Sequence, residues 1–448
     1  MQVSSTQEVS MLVRFGVENH RSIRDRQELS MVATAQRDAP DHRHPAPGIT
    51  GIEHGVLPVM AIFGANAAGK SNLVHALDTF HDLVERSFIA TRPGSPLPYT
   101  PWLGNGQHKD LPATTFDADL IIDGVRHHYG FSFTAHGFTS EWLHRWPHGR
   151  QQVVYEREPH SESPWYFGPS LSGPKATIAD ATRPNALFLS AAAQFNHAEL
   201  RAVYSAITDG IAMACPLELR GHRLFSANDS LLHPTNRDLV LAILRSADLG
   251  IHGIQVEPER DPERGRLAGV HPLGGHLVAE DDEPEECFNV VLVHGTPEHP
   301  WTLPSEFESG GTQVLLSRID DMIEPLLYGT TLVIDELETS LHPDICRALV
   351  RLFTSPDTNP RGAQLIFSTH NRELLSELRR DQVLLVDKGR DGVTRWASAS
   401  DYRGLRKSTD KRKVHESGAI GGVPVLDDLT RIWAAHAPVP AEDDDDAT

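Results

Sequence analysis

The sequence predicts an α/β protein with a mixed central sheet and a separate antiparallel lobe. A compact apolar strand at 59–63 runs directly into a glycine-rich turn, and an amphipathic helix follows. Residues 115–155 alternate between apolar and polar positions, which is typical of an antiparallel meander with one buried face. Short continuous apolar runs return at 331–334, 364–367 and 382–386. Such runs are expected of strands that are buried on both faces.

The composition is that of a globular protein. Of the 448 residues, 39% are hydrophobic and 23% are charged, and no apolar run is long enough to cross a bilayer. The first ten residues are polar, so we expect no signal peptide. Three widely spaced cysteines predict neither a disulfide framework nor a zinc site. We therefore expect a cytoplasmic protein with no membrane partner.

The net charge of −20 argues against a protein that covers nucleic acid with its whole surface. A local basic groove remains compatible with this charge. The dense basic cluster at 403–413 (Arg403, Arg406, Lys407, Lys411, Arg412 and Lys413) is either a solvated helix face or a contact for DNA, RNA or an acidic partner. The Asp-His-Arg-His stretch at 41–44 lacks further carboxylate or cysteine ligands nearby, so no metal site is predicted there.

Residues 64–71, Gly-Ala-Asn-Ala-Ala-Gly-Lys-Ser, match the phosphate-binding loop pattern. Glycines let backbone N–H groups curl around a β-phosphate, Lys70 can reach the β and γ oxygens, and Ser71 can ligate Mg²⁺. A chance match is the alternative, but the strand before the loop and the helix after it argue against chance. The pattern predicts ATP contacts from Gly64, Ala65, Asn66, Ala67, Ala68, Gly69, Lys70, Ser71 and Asn72.

Two later apolar strands end in side chains that suit nucleotide hydrolysis. Asp335 and Glu336 follow the run at 331–334. Asp335 would hold Mg²⁺, and Glu336 would act as general base toward the attacking water. His370 ends the next run and could bond the γ-phosphate and sense its loss. Alone, these residues would be ordinary strand ends, but beside a phosphate loop they indicate an ATPase site.

A further motif, Glu-Ser-Gly-Gly-Thr at 308–312, precedes an apolar helix. Ser309, Gly310 and Gly311 would form an anion site at the start of that helix, although a plain helix cap is the alternative. The motif lies where ABC-type ATPases carry the signature loop that contacts the γ-phosphate of the opposite subunit. We therefore predict composite ATP sites that are completed when two copies meet head to tail.

The order of the motifs predicts an ABC-type P-loop ATPase head with an antiparallel β lobe, a RecA-like mixed sheet core and a helical and hairpin insertion. The long stretch between Lys70 and Asp335 carries no sustained heptads, so no coiled coil is expected. The predicted segments are a disordered N-terminus (1–10), the N-terminal half of the head (11–195), the insertion (196–290), the C-terminal half (291–402) and a basic, then acidic tail (403–448).

These motifs resemble those of ABC/SMC-like AAA ATPases of bacterial defence islands. That group includes the ATPase subunits of the PARIS and Septu systems, abortive-infection ATPases and the head of overcoming-lysogenization-defect nucleases. The Asp-Glu-to-His-Pro stretch at 335–343 and the loop at 308–312 are the specific features. The other resembling stretches are 15–23, 64–71, 141–143, 185–190, 364–370 and 421–424.

The resemblance implies a role for each matching residue. It adds Arg21 to the nucleotide contacts, places His342 where transporter ATPases carry a dimer-contact aspartate, and assigns Ser309 and Gly310 to action in trans. Mg²⁺ coordination falls to Ser71 and Asp335, catalysis to Glu336, and γ-phosphate sensing to His370. Two departures stand out: the signature reads Ser-Gly-Gly-Thr-Gln, and no Q-loop glutamine is identified.

The resemblance also implies a function. We expect an ATPase that dimerises on ATP and acts as a sensor or scaffold for a co-encoded nuclease or toxin in anti-phage defence. The stretch after His370 lacks the spaced acidic cluster of a Toprim nuclease, which favours a separate effector. One alternative is a RecF-like DNA-maintenance ATPase that clamps DNA when ATP is bound. Another is an assembly in which ATP acts only as glue and is not hydrolysed.

Overall fold

The computed structural model describes residues 10–36, 42–104, 106, 111–214, 225–226, 230–247, 249–258 and 287–402. The predicted N-terminal segment up to residue 9, the tail with its basic cluster and the stretch 421–424 lie outside the described residues. The same holds for 259–286, the middle of the predicted insertion.

The described residues form seventeen strands and eight α-helices, apart from short 3₁₀ turns. The strands are β1 (Ser10–Glu18), β2 (Gln27–Ser30), β3 (Val59–Gly64), β4 (Thr114–Ile122), β5 (Val125–Thr134), β6 (Gly137–Trp146), β7 (Gln152–Arg157), β8 (Trp165–Phe167), β9 (Ile211–Met213), β10 (Phe225–Ser226), β11 (Ile251–Pro258), β12 (Cys287–Thr296), β13 (His299–Pro304), β14 (Thr331–Ile334), β15 (Gln364–Thr369), β16 (Val383–Lys388) and β17 (Thr394–Ser398). The helices are α1 (Lys70–Arg86), α2 (Lys175–Ala181), α3 (Phe188–Gln194), α4 (Ala198–Thr208), α5 (Pro234–Ser246), α6 (Gly310–Tyr328), α7 (Pro343–Thr354) and α8 (Leu374–Glu377).

Seven strands form the antiparallel lobe in the order β2-β1-β4-β5-β6-β7-β8. The alternating pattern at 115–155 thus forms a meander, and its first hairpin turns at Asp123-Gly124, where both residues have positive φ. The buried face of the lobe carries a cluster of aromatic rings that includes Phe15, Phe116 and Phe131. Phe80 of α1 stacks on Phe131 at 5.6 Å between ring centroids, so the lobe packs directly on α1.

The core sheet has the strand order β17-β16-β3-β15-β14-β9. Strands β3, β9, β14, β15 and β16 are parallel, and β17 is an antiparallel edge. Alternate residues of β3 join opposite hydrophobic cores: Met60 and Ile62 face one core, and Val59, Ala61 and Phe63 face the other. Burial on both faces explains why these strands read as continuous apolar runs.

This sheet order positions the predicted site. Strand β15 lies between β3 and β14, and all three run in the same direction. The residues that follow their carboxyl ends therefore meet at one edge of the sheet, with His370 between the phosphate loop and the Asp335-Glu336 pair. The predicted fold class, an α/β head with an antiparallel lobe and a mixed core sheet, is confirmed.

The first part of the segment predicted as an insertion (196–290) packs with the core sheet. Helix α4 packs against α1, and β9 pairs in parallel with β14 as an edge of the core sheet, so 198–213 belong with the core. Strand β12 pairs with β10, β11 and β13, and α5 packs on β11 and α6. In the described part of the chain no helix is both long and apolar enough to span a membrane, and none forms a coiled coil.

Candidate nucleotide site

The phosphate loop fits tightly against the hairpin of β16 and β17. A Cβ atom on Gly64 would lie 2.5 Å from the carbonyl oxygen of Val386, and one on Gly69 would lie 2.2 Å from Oγ1 of Thr394. Gly69 also has φ of 108°, a conformation that side chains other than glycine rarely adopt. Both glycines are therefore required by the packing of this loop.

Lys70 begins α1 and reaches back across the loop. Its Nζ donates to the carbonyl oxygens of Gly64 (3.0 Å) and Ala65 (3.1 Å), and the ring nitrogens of His370 lie 3.2 and 3.4 Å from it. Burial lowers the pKa of Lys70, while the carboxylates of Asp335, Glu338 and Glu336 act in the opposite direction. The ammonium group contacts mainly neutral acceptors, which an anion could replace.

Asp335 and Glu336 are held on the neighbouring strand by Ser368. The Ser368 hydroxyl donates to Oδ1 of Asp335, and the backbone N–H of Glu336 donates to Ser368 Oγ at 2.8 Å. Arg318 of α6 donates to the Asp335 carbonyl oxygen at 3.1 Å. Glu336 is exposed and has φ of 52°, so its carboxylate lies at the solvent edge while Asp335 is half-buried.

Glu338 also lies at this sheet edge, although it belongs to none of the predicted contact residues. Its carboxylate accepts a hydrogen bond from the backbone N–H of His370. Its other oxygen, Oε2, is buried and has no hydrogen-bond partner among the described residues. Glu338 therefore fixes the start of the His370 loop beside Lys70. The repeated acid at 336 and 338 is the sequence signal that could have indicated it.

The loop at 308–312 forms the start of α6, as its sequence predicts. Ser309 is the N-cap, and its hydroxyl accepts from the backbone N–H of Thr312 at 3.2 Å. Gln313 donates to two carbonyl oxygens earlier in the loop, and His294 contacts the Glu308 carboxylate at 2.5 Å. Ser309 and Gly310 are exposed, so this ordered helix start faces outward and can meet another molecule.

The family follows from a match over most of this architecture. Residues 59–376, from the strand before the phosphate loop to the helix after His370, match the family described as "AAA domain, putative AbiEii toxin, Type IV TA system". The chain belongs to this family. None of the curated proteins gives a significant match.

Solved structures similar to this AAA-domain protein include heads of SMC proteins and RecF. An SMC head bound to the C-winged helix domain of ScpA is 14% identical with a TM-score of 0.42, covering 86% of this chain and 97% of that one. The SMC head domain from Thermotoga maritima is 11% identical with a TM-score of 0.36, covering 86% and 98%. RecF with ATP, from the RecFOR pathway, is 13% identical with a TM-score of 0.32, covering 89% and 100%.

Two further predicted contact residues of this AAA-domain protein, Ser71 and Asn72, lie at the end of the phosphate loop, in the first turn of α1. Ser71 is exposed on the first turn of α1. The Asn72 amide donates to the hydroxyl of Ser22 at 2.5 Å, so Asn72 joins the loop to the β1–β2 turn.

Arg21 lies on the same turn and has φ of 49°. Its backbone N–H donates to the carbonyl oxygen of Thr100 at 2.7 Å, and its side chain is only partly covered by its neighbours. Partial burial lowers the pKa of Arg21, and Asp78 opposes that shift. The turn therefore holds a cation near the phosphate loop.

Two remaining sequence features of this AAA-domain protein have structural roles. His342 caps α7 by accepting from the backbone N–H of Asp344 at 3.2 Å, and its ring is largely exposed. In the stretch 41–44, Asp41 lies outside the described residues, and His44 contacts the carbonyl oxygen of Ala363 at 3.2 Å. Within the described ranges no group of three or more His, Cys, Asp or Glu side chains could hold a metal ion.

Proposed function

We propose that the chain binds and hydrolyses ATP with Mg²⁺, pairs with a second copy on ATP binding, and controls a partner effector in anti-phage defence. One observation carries the ATPase activity in this proposal: Lys70, Asp335, Glu336 and His370 lie together at the carboxyl edge of the core sheet. These groups combine a cation for phosphate, an oxygen ligand for a hard metal ion, an exposed base and a polar sensor.

The residues present fit a Mg²⁺-nucleotide. The two tightly packed glycines let the loop lie directly on the β16–β17 hairpin, and Lys70 reaches back across the loop to the carbonyl oxygens of Gly64 and Ala65, where a phosphate could take their place. Asp335 and Ser71 would supply the oxygen ligands that Mg²⁺ prefers. Bound Mg²⁺ would neutralise charge on the β and γ phosphates. Residues 64–72 and Arg21 would contact the nucleotide.

The roles of the chain's own groups follow from their surroundings. Exposed Glu336 accepts a proton from water, which is worth about 10²–10⁴-fold for a well-placed base. Lys70 stabilises charge that develops on the phosphate oxygens, and its partial burial strengthens that interaction. His370, held through its backbone by Glu338, donates or accepts at the γ-phosphate.

The exposed loop at 308–312 is consistent with an ATP site that is shared between two copies of the chain. The Ser309 hydroxyl bonds within its own helix start, with Thr312 rather than with the phosphate loop, and Ser309 and Gly310 face solvent. We propose that this helix start, Gly311 included, contacts the γ-phosphate held by a second copy in a head-to-tail dimer.

Two similarities of the sequence support the defence role. The sequence motifs resemble those of PARIS, Septu and abortive-infection ATPases, and the matching family is described by a putative AbiEii toxin of a type IV toxin–antitoxin system. We propose a cytoplasmic sensor or scaffold whose effector is a separate nuclease or toxin. Sizing the protein after co-expression with its genomic neighbour tests this, because a neighbour that never co-elutes in either nucleotide state would contradict it.

Mixing two inactive variants tests the shared ATP site. Lys70→Ala removes the phosphate cation, and Ser309→Arg blocks the helix start. In random dimers, half of the pairs are mixed and each mixed pair keeps one intact site, so about one quarter of wild-type activity should return. Ser163→Arg, in an exposed turn, is the control and should stay fully active. A mixture no more active than its components would contradict sharing.

The alternative function is a RecF-like clamp on DNA. ATP-dependent duplex binding that weakens steeply with salt would favour the clamp, because phosphate contacts release counterions. Absence of DNA binding together with a co-eluting effector would favour the defence subunit. Charge reversal in 403–413 tests that cluster: binding of nucleic acid or partner should be lost while ATPase activity persists, and unchanged binding would exclude it.

A further inference from the structure

Thr394, at the start of edge strand β17, contacts the phosphate loop from behind. Its side chain is fully buried, and Oγ1 lies 2.8 Å from the carbonyl oxygen of Ala68. The same oxygen lies 2.7 Å from the hydroxyl of Ser22, whose Oγ accepts from the Asn72 amide at 2.5 Å. The backbone N–H of Thr394 also donates to the Ser22 carbonyl oxygen at 2.8 Å. Three distant parts of the chain therefore meet at this threonine.

The direction of these hydrogen bonds is fixed by chemistry. A carbonyl oxygen can only accept, so the Thr394 hydroxyl donates its single proton to Ala68. The Ser22 hydroxyl must then donate to Thr394, and the Asn72 amide donates to Ser22. The result is a one-way chain from Asn72 through Ser22 and Thr394 to Ala68, in which each bond polarises the next.

The last bond of this chain orients a peptide group of the phosphate loop. In a planar trans peptide the C=O and the following N–H point in opposite directions. Thr394 holds the Ala68 carbonyl toward the β16–β17 hairpin, so the Gly69 N–H is directed to the opposite side of the loop. That side is where a phosphate bound at 64–71 would lie.

We propose that Thr394 is a positioning residue that preorganises the phosphate loop, with Ser22 as its relay. Gly69 packs directly on the Thr394 side chain, which makes the contact tight as well as polar. Neither Ser22 nor Thr394 falls within residues 59–376, the part that matches the family. The proposal rests on the proposed function only in that the loop binds a nucleotide.

Thr394→Val tests the role because valine keeps the shape and removes the hydroxyl. Ala68 then loses a buried donor, and ATP and ADP should each bind about tenfold more weakly, by the same factor since both carry a β-phosphate. Thr394→Ser keeps the hydroxyl and should restore affinity to within about twofold of wild type. Titration of the purified full chain with fluorescent ATP and ADP analogues measures both, with Lys70→Ala as the weak-binding reference.

Thr331→Val is the matched control. Thr331 is also buried and starts β14, at the end of the core sheet opposite Asp335, where its hydroxyl donates to Gln364 at 3.1 Å. This variant should lower the Tm as Thr394→Val does but leave nucleotide affinity unchanged. Equal affinity of wild type and folded Thr394→Val would overturn the proposal.

If Thr394→Val does not fold, Ser22→Ala decides the question. It removes the relay hydroxyl and should weaken both nucleotides about threefold. Unchanged affinity of this variant would overturn the proposal. Wild-type protein that binds neither nucleotide would instead refute the proposed function, and the role of Thr394 with it.

Discussion

Asp335 and Glu336 are adjacent in sequence, yet the fold treats them differently. Asp335 is half-buried and accepts from the Ser368 hydroxyl, which suits a fixed metal ligand. Glu336 turns outward through a left-handed backbone conformation, φ 52°, that costs a non-glycine residue of order 1 kcal/mol or more. The bond from its N–H to Ser368 maintains this conformation. Ser368 thus holds the proposed metal ligand and the proposed base in different environments.

Replacing Glu336 with glutamine tests its role as the base. The amide cannot accept the proton, so the ATPase rate should fall at least about 100-fold while ATP still binds. ATP-bound dimers should then persist on a sizing column. Glu377→Gln, which changes an acid that pairs with Arg351 on the surface, should turn over ATP normally. Equal turnover by Glu336→Gln and wild type would mean that another group is the base.

The residues of this site differ in how far sequence predicts them. Lys70, Asp335 and His370 each follow an apolar strand, so local pattern places them beyond strand ends, and the parallel order β3-β15-β14 brings them to one sheet edge. Thr394 and Glu338 act through single contacts, to Ala68 and to the backbone of His370. No periodicity marks such contacts, because they depend on how β17 and the loop after β14 pack in three dimensions.

At the scale of elements, buried Glu141 joins the antiparallel lobe to α3. Its carboxylate accepts from the backbone N–H groups of Phe188 (2.7 Å) and Leu189 (3.0 Å) at the start of that helix. The hydroxyls of Tyr129 and Tyr155 donate to the same carboxylate, and Arg157 lies 3.5 Å away. The Glu141 carboxylate can be buried because both of its oxygens accept hydrogen bonds and Arg157 lies nearby.

Removing this carboxylate should loosen the lobe. Glu141→Ala leaves Arg157 without its buried partner and the start of α3 without acceptors, so we expect a loss of about 3–5 kcal/mol in unfolding free energy. Chemical denaturation measures it. The matched control is Glu156→Ala on the same sheet, where the carboxylate is nearly half exposed beside His144 and should contribute about 1 kcal/mol or less. Similar losses for both variants would contradict a special role for Glu141.

The first turn of α3 and the segment before it also bind the end of α1. Ser190 on α3 donates to the Val84 carbonyl oxygen near the end of α1, and Arg183 donates to the carbonyl oxygens of Ser87, Phe88 and Thr91. These bonds give donors to carbonyl oxygens at and just after the end of α1, where the helix itself supplies no further N–H groups. The sequence motifs at 141–143 and 185–190 therefore make one structural link. Their spacing in the chain does not predict it, because it needs the lobe and the helices already folded together.

Two hydrophobic cores lie on opposite faces of the core sheet. Several histidines are buried or half-buried among the described residues. Burial lowers the pKa of His20 to about 3 and those of His44, His75 and His127 to about 4. His20 and His75 stack on each other beneath the turn that carries Arg21. The net charge and the histidine count are visible in the sequence, but which rings are buried is set by packing.

These shifts predict that the protein loses stability in acid. A histidine whose folded pKa lies below 6.5 binds a proton in the unfolded state first, so unfolding is favoured as pH falls from about 6.5 to about 4. For nearly fully buried His44, the contribution between pH 7 and pH 5 is about 2 kcal/mol.

Denaturant unfolding at pH 7 and pH 5 measures the loss. His44→Asn should unfold more easily at pH 7, because its contact with Ala363 is altered, yet lose less stability on acidification than wild type. His299→Asn, at an exposed hairpin turn, should follow the wild-type pH dependence. If His44→Asn loses as much stability between the two pH values as wild type does, the buried ring is not responsible for the acid sensitivity, and the remaining buried histidines or carboxylates must be.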